Sequence, residues 1–475
     1  MAKRKSSKRS QEKKVRSQRG STPMPNELRQ VNLHAAGIDV GANEHWVAVP
    51  TNHGQSVRCF GTFTEDLVAL ADWLVECDIE TVALESTGIY WITLFEVLEG
   101  RGLHVRLVDT RKLKYVPGRK SDVMDCQWLQ QLHSYGLLEG AFRPADEICV
   151  LRGYVRQRCM LVESLSREIL HMQKAMEQMN VKLTEVLSDV TGVTGMQIIR
   201  AILEGERDAK ELAKFRNHRC KHDEATIAKA LRGNWRKEHL FQLRQAVQLY
   251  DFLTTQVGEC DTQIEAYLKS FETKADSSTL KESRGKARRS RQGNAPAFDL
   301  RQHLYAITGT DLTQIDGIEA YTVLRLISEI GLDMTRWPSV KHFVSWLGLC
   351  PGTKRSGGKQ LSSKSKRSAN RAAAVLRMAA QTLYRSRSAL GAFYRRIKAR
   401  IGAAEAVTAT AHKLARLLYT MLRYRKEFVD IGEDGYLQMF KERIIRNMKR
   451  KALDCGYKLV PIADLPNPPA PSPGG

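Results

Sequence analysis

Between residues 34 and 150, short apolar runs alternate with turn residues and with stretches of helical period. Ala35-Ala36-Gly37-Ile38-Asp39-Val40 is an apolar run closed by Gly41. Trp46 to Val49 follows a Gly-Ala-Asn-Glu turn, and Ser56 to Phe60 follows Asn52-His53-Gly54. This pattern predicts a three-strand meander. Leu67, Leu70, Ala71 and Leu74 then recur at i, i+3, i+4 and i+7. With Thr64 as cap and Glu65 and Asp66 in the first turn, that spacing predicts a helix. Thr81 to Glu85 and His104 to Val108 read as a fourth and a fifth strand. The helix between them runs to about Leu98 and is stopped by Gly100 and Gly102. A further helix is expected after Ser121, through Trp128, Leu129 and Leu132.

The order βββαβαβα is that of an α/β RNase H-like domain. Beyond it the period changes to that of long helices. Leu161, Leu165, Ile169, Met172, Met176, Met179 and Leu183 form one run, and Leu243, Val247, Tyr250, Leu253, Val257 and Ile264 a second. They predict a helical hairpin or coiled-coil arm over 151–270, as internal bundle or dimerising element. Residues 271–297, with Gly285-Lys286-Ala287-Arg288-Arg289-Ser290-Arg291, read as a flexible linker. Residues 298–430 are again mostly α-helical. Leu312 to Ile318, with Gly317, followed by Leu324, Leu326, Ile327 and Ile330, suggests a helix-hairpin-helix whose glycine turn offers N–H groups to a phosphate. Residues 431–475 form a C-terminal extension with a disordered end.

Charge changes this picture. The 475 residues carry a net +23, unevenly spread. Residues 1–30 hold +8 and read as a disordered basic arm, residues 31–150 hold −8, and residues 351–475 hold +18. Residues 351–400 contain fourteen Lys/Arg and no acid. Such an excess points to a polyanion, nucleic acid first. No apolar run approaches the ~18 residues of a membrane span. The nine scattered cysteines contain no C-x-x-C pair, which fits a reducing cytosol.

The acidic block raises the question of what its carboxylates do. Asp39 and Glu85 sit at the ends of the first and fourth strands, neighbours in such a sheet. Asp122 and Asp125 are i and i+3 on one helix face. Singly, each reads as a turn residue, a strand-end residue or a solvated helix residue. Together they read as a site for Mg²⁺ or Mn²⁺, since converging carboxylates repel unless a hard cation compensates. In the basic C-terminal part, Pro351-Gly352-Thr353-Lys354-Arg355-Ser356-Gly357-Gly358-Lys359 reads as a glycine-rich loop before a helix. Its spacing is not that of a Walker A loop. Ser356 is a candidate nucleophile on phosphorus. Lys354, Arg355, Gly357, Gly358, Lys359, Lys364, Lys366, Arg367 and Arg371 are candidate nucleic-acid contacts. Ser362, Ser363, Ser365 and Ser368 compete with Ser356. His218, Cys220 and His222 read as a solvated loop, and Trp337 and Trp346 as packing residues.

Taken in order, Gly37-Ile38-Asp39-Val40-Gly41, Ala83 to Gly88, Lys120 to Asp125, and Leu347 to Pro351 with Ser356-Gly357-Gly358 resemble the DEDD transposases of bacterial insertion sequences. Ser121 and Cys126 stand where that family commonly has Thr and Ala. The resemblance implies a RuvC-like domain, a coiled-coil segment and a C-terminal transposase domain. It implies DNA recombination by a metal-binding tetrad of Asp39, Glu85, Asp122 and Asp125. It further implies a transient phosphoserine link through Ser356, a dimer or tetramer, and an element-encoded bridge RNA that selects donor and target DNA. Three rivals use part of the same pattern. A Holliday-junction resolvase or metal nuclease would need the tetrad without the serine. A sugar kinase would share Gly37 to Gly41 but need a second phosphate loop. A non-catalytic scaffold would need neither.

Overall fold

The computed structural model describes residues 29–51, 56–86, 88–109, 122–282, 294–362, 365 and 368–462. The predicted basic arm as far as residue 28, the linker run 283–293 and the C-terminal end from 463 lie outside them. The chain divides into two compact units, residues 1–143 and 144–475.

In the first unit, β1 (Ala35–Val40), β2 (His45–Ala48) and β3 (Val57–Phe60) form the expected antiparallel meander. Helix α1 (Thr64–Glu76), β4 (Thr81–Glu85), α2 (Trp91–Gly100) and β5 (His104–Val108) follow, and α3 (Asp122–Ser134) completes the unit. The sheet order is β3-β2-β1-β4-β5, with β4 parallel to both β1 and β5. This is an RNase H-like arrangement, with the first and fourth strands side by side. One local expectation fails. Thr64 is already helical, and Phe63 is the cap, its N–H donating to Asp66 Oδ2 at 3.2 Å.

The strand alternation assigns the two faces of the sheet different work. Ala36, Ile38, Val40, Val47, Val49, Val82 and Leu84 are buried in one core with Leu67, Leu70 and Leu74 of α1 and Leu94 and Leu98 of α2. The interleaved positions face α3 and are small: Ala35, Gly37 and Ala83. A Cβ on Gly37 would lie 2.3 Å from the Gln130 nitrogen and 2.6 Å from the Cys126 oxygen. The missing side chain therefore lets the α3 backbone rest directly on β1.

In the second unit, α4 (Asp146–Gln178) packs along α9 (Lys237–Leu268). Four short helices join them: α5 (Leu183–Val186), α6 (Val193–Glu204), α7 (Ala209–Ala213) and α8 (Glu224–Ala230). Met172, Met176 and Met179 are buried there with Ile198, Leu212 and Leu243, so this part of the helical run packs a core. Between Arg158 and Met172 on α4, and between Val247 and Asp261 on α9, no residue is buried. The pair thus has a cap at one end, a base at the other and a thin stem between.

The base is locked by an ion pair. Arg158, 1 % exposed, donates from Nε to Asp261 Oδ1 at 2.5 Å and from Nη1 to the Asn294 carbonyl at 3.1 Å. Its guanidinium lies 4.7 Å from the Tyr321 ring centroid. Removing one partner leaves a buried charge alone. Asp261→Asn is therefore expected to destabilise the protein by about 3–5 kcal/mol in urea unfolding, whereas an apolar replacement of both residues costs much less. Equal losses for the single and double variants would sink this account.

Helices α10 (Leu300–Thr308), α11 (Ala320–Ile330), α12 (Val340–Trp346) and α13 (Arg371–Thr382) follow, with a strand pair, β6 (Lys354–Ser356) and β7 (Lys359–Ser362), between the last two. Gly317 stands before α11 at φ 79°, and a Cβ there would meet the Ala379 oxygen at 2.9 Å. That glycine answers to close packing on α13. The remaining helices are α14 (Ala389–Ile401), α15 (Ala403–Tyr424) and α16 (Gly432–Asp454). Trp337 and Trp346 pack with Phe343, as expected, and the Tyr419 hydroxyl donates to the Trp337 carbonyl at 2.8 Å. Helix α16 buries none of its residues. Among the described residues, no helix is long and apolar enough to cross a membrane.

Candidate active site

Asp39 is the fifth residue of β1 and so falls on the α3 face of the sheet. Glu85 ends β4, on the same face. Asp122 and Asp125 occupy the first turn of α3, where the helix dipole favours negative charge. Asp39, Asp122 and Asp125 each place a carboxylate oxygen within 4.8 Å of the others. Asp39 also shares a hydrogen bond with Glu85. All four predicted acids therefore meet. His218, Cys220 and His222 do not form such a group: Cys220 Sγ points to Thr194, and Arg216 donates to the carbonyls of Cys220 and His222.

The electrostatics follow from this crowding. Burial, the hydrogen bond to Glu85, and the charges of Glu85, Asp122 and Asp125 push the Asp39 carboxyl up to about 8. The four acids thus hold a proton near neutrality, a place that a divalent cation fits by charge and by its preference for oxygen ligands. A cation must displace that proton, so its affinity rises with pH, about tenfold per unit below 8. Folding has the opposite sign. A carboxyl raised from 3.8 to about 8 favours the fold at low pH, and that contribution is lost as pH rises through 8. The increase in melting temperature on adding Mn²⁺ is expected to be larger at pH 8 than at pH 6. An increment independent of pH would rule out the shared proton.

The sheet face adds residues that the motif reading missed. Trp46 pairs with Asp39 across β1 and β2, and Cys59 pairs with Trp46. Glu44 accepts from Trp46 Nε1 at 3.0 Å and from Cys59 Sγ at 3.4 Å. Burial, Glu44 and Asp122 raise the Cys59 thiol, so this rim borders the acids. The period-two alternation that placed Asp39 would have found Trp46 and Cys59. The seat of α3 on Gly37 sets where Asp122 and Asp125 sit. Gly37→Ala is expected to cost about 3 kcal/mol by overpacking and to abolish the Mn²⁺-induced rise in melting temperature. Retention of that rise would show that α3 accommodates the methyl without moving its acids.

In the second unit, Ser356 is not in a loop before a helix. It is the last residue of β6, in a hairpin closed by Gly357 and Gly358 at φ 53° and 77°. Its register partner is Lys359, and Arg355 pairs with Gln360. Two consecutive glycines at positive φ are what a two-residue hairpin turn of this hand requires. A Cβ on either glycine would touch nothing. Ser356, Arg355 and Lys359 are all exposed on this projecting finger, and Arg371 is exposed at the start of α13. Ser365 bridges to Pro351 at the hairpin base, and Ser368 Oγ accepts from the Asn370 N–H. Lys364, Lys366, Arg367, Ser363 and the Lys354 side chain lie outside the described residues.

An RNase H-like sheet with four acids gathered beside its central strands is an arrangement that suits a nucleic-acid enzyme domain. Comparison with known families agrees. Residues 36–181 match the IS110 DEDD model, described as Transposase, and residues 309–395 match the model described as Transposase IS116/IS110/IS902 family. No curated protein matches the chain. The two matches, in this order along the chain, support an IS110-type DEDD transposase, an enzyme of DNA recombination.

Proposed function

We propose that this transposase cleaves and rejoins DNA with two chemical groups, the acids Asp39, Glu85, Asp122 and Asp125 and the hydroxyl of Ser356. The convergence of the four acids carries the reading. They would hold Mg²⁺ or Mn²⁺, which supplies Lewis-acid stabilisation of charge on a phosphodiester. Ser356 Oγ gives up its proton and bonds to phosphorus. The bond from phosphorus to one sugar oxygen breaks, and that oxygen leaves as a hydroxyl after taking up a proton. Attack by a second sugar hydroxyl reverses the step and frees the serine. Its place on an exposed hairpin, with Arg355 and Lys359 beside it, suits a nucleophile that must enter a DNA backbone.

The division of charge supports a division of labour. The +18 of residues 351–475 grips nucleic acid, and the −8 of residues 31–150 suits cation binding. With it we propose the domain division of the sequence: a metal-binding domain to about residue 150, a helical arm to 270, a linker to 297, and a transposase domain to 430. We further propose that an element-encoded bridge RNA selects the DNA partners and that the enzyme works as a dimer or tetramer. Purification with bound nucleic acid, followed by sequencing, tests the guide. RNA from the flank of its own gene is expected, and random RNA alone would leave a DNA-only transposase.

A further inference from the structure

A large cavity lies between α14, α15 and α16, lined mostly by residues beyond position 395, where the second matched segment ends. It measures about 1330 Å³ and ends at Leu349, Pro351 and Ser365, the last two bridging at the base of the Ser356 hairpin. That volume exceeds the ~300–1,000 Å³ of small-ligand pockets, so a chain segment fits it better than a metabolite.

Its walls combine aromatic rings with cations. Tyr436 and Phe440 stand one turn apart on α16 with their rings 11° from parallel. Lys413 Nζ lies 4.1 Å from the Phe393 centroid, and the Arg396 guanidinium lies 4.3 Å from the Phe440 centroid. Arg416, Arg443 and Arg446 also line the space. None of these cations pairs with a carboxylate among the described residues. Of the acids that line it, Asp430 accepts from the Ala389 N–H and Glu442 from Gln438; Glu405 is the third. Burial and the charges of Arg396, Arg443 and Arg416 depress the Lys413 ammonium. An anion in the cavity would relieve that repulsion, whereas a helix from a second copy of this basic chain would add to it.

We propose that the cavity takes an unpaired stretch of nucleic-acid strand, its bases stacking on Phe393, Tyr436 and Phe440 and its phosphates meeting Lys413, Arg416, Arg443 and Arg446. This rests on the reading that the C-terminal part grips nucleic acid. Stacking platforms flanked by cations bind single strands with little sequence preference. The position at the hairpin base means that a strand held here leads toward Ser356.

The test uses the full chain carrying Asp39→Asn, so that no strand is cut. Single-stranded DNA and RNA oligonucleotides with 5-iodouracil are bound, irradiated and mapped by mass spectrometry. Crosslinks to Phe393, Tyr436 or Phe440 are expected, and the strand type that gives them identifies the natural occupant. In anisotropy titrations, Phe440→Leu, which keeps an apolar side chain, is expected to weaken single-strand binding about tenfold. Arg446→Gln is expected to lower the salt slope by about one. Binding with crosslinks confined to other peptides, or unchanged affinity in Phe440→Leu, overturns the cavity assignment and leaves the charge reading intact. No binding at all overturns both.

Discussion

Asp39→Asn is expected to lower DNA cleavage on the order of 10³-fold or more while raising the metal-free melting temperature at pH 8. The two effects have one cause. Asp39 is the acid that the other three surround, and its carboxyl is pushed up to about 8 by burial, then by Glu85, Asp122 and Asp125. An amide carries no charge to bury and can donate to Glu85, so the apo fold gains about 1–2 kcal/mol, a few degrees, after allowing for solvent around the half-exposed site. The same amide cannot supply the negative ligand that a hard cation needs. The measurement pairs a cleavage assay in Mn²⁺ with melts in chelator. A variant that is inactive but no more stable than the parent would mean that the four acids are not in mutual repulsion.

Ser356→Ala is expected to abolish recombination, on the order of 10⁴-fold or more, with DNA retention in gel shifts unchanged. The hairpin should tolerate the change, because Ser356 is exposed and its turn is built by Gly357 and Gly358 rather than by the hydroxyl. The parent should yield protein covalently attached to DNA after denaturation, and the alanine variant should not. If the variant still nicks DNA in Mn²⁺ at the parent's rate, the enzyme is a metal nuclease and the serine only touches the backbone.

Much of the first unit was legible in the chain. Turn residues separated the strands, and the strand order put the ends of β1 and β4, with Asp39 and Glu85, side by side. The i, i+3 spacing put Asp122 and Asp125 on one helix face. What that reading lacked was the depth of α3, which depends on Gly37 meeting Gln130 across more than ninety residues of chain. The Ser356 hairpin was missed for a different reason. Its strands are three and four residues long and almost wholly exposed, so no apolar alternation marks them. The Gly-Gly pair was the available signal. The cavity was invisible because its rings and cations come from three helices, none of which shows by its own period what it faces. Thr64 failed as a cap because Asp66 closes the turn on Phe63 instead.

The two-faced sheet also governs which changes of length the gene can absorb. Side chains in β1 alternate strictly, so deleting one residue between Ala35 and Asp39 would exchange the faces of the strand on one side of the gap. Ile38 would point at the acids, or Asp39 into the core beside Leu70 and Leu84. The turn at 41–44 imposes no such parity. Insertions and deletions in this lineage should therefore collect there rather than within β1 or β2, with the strand lengths on either side left unchanged.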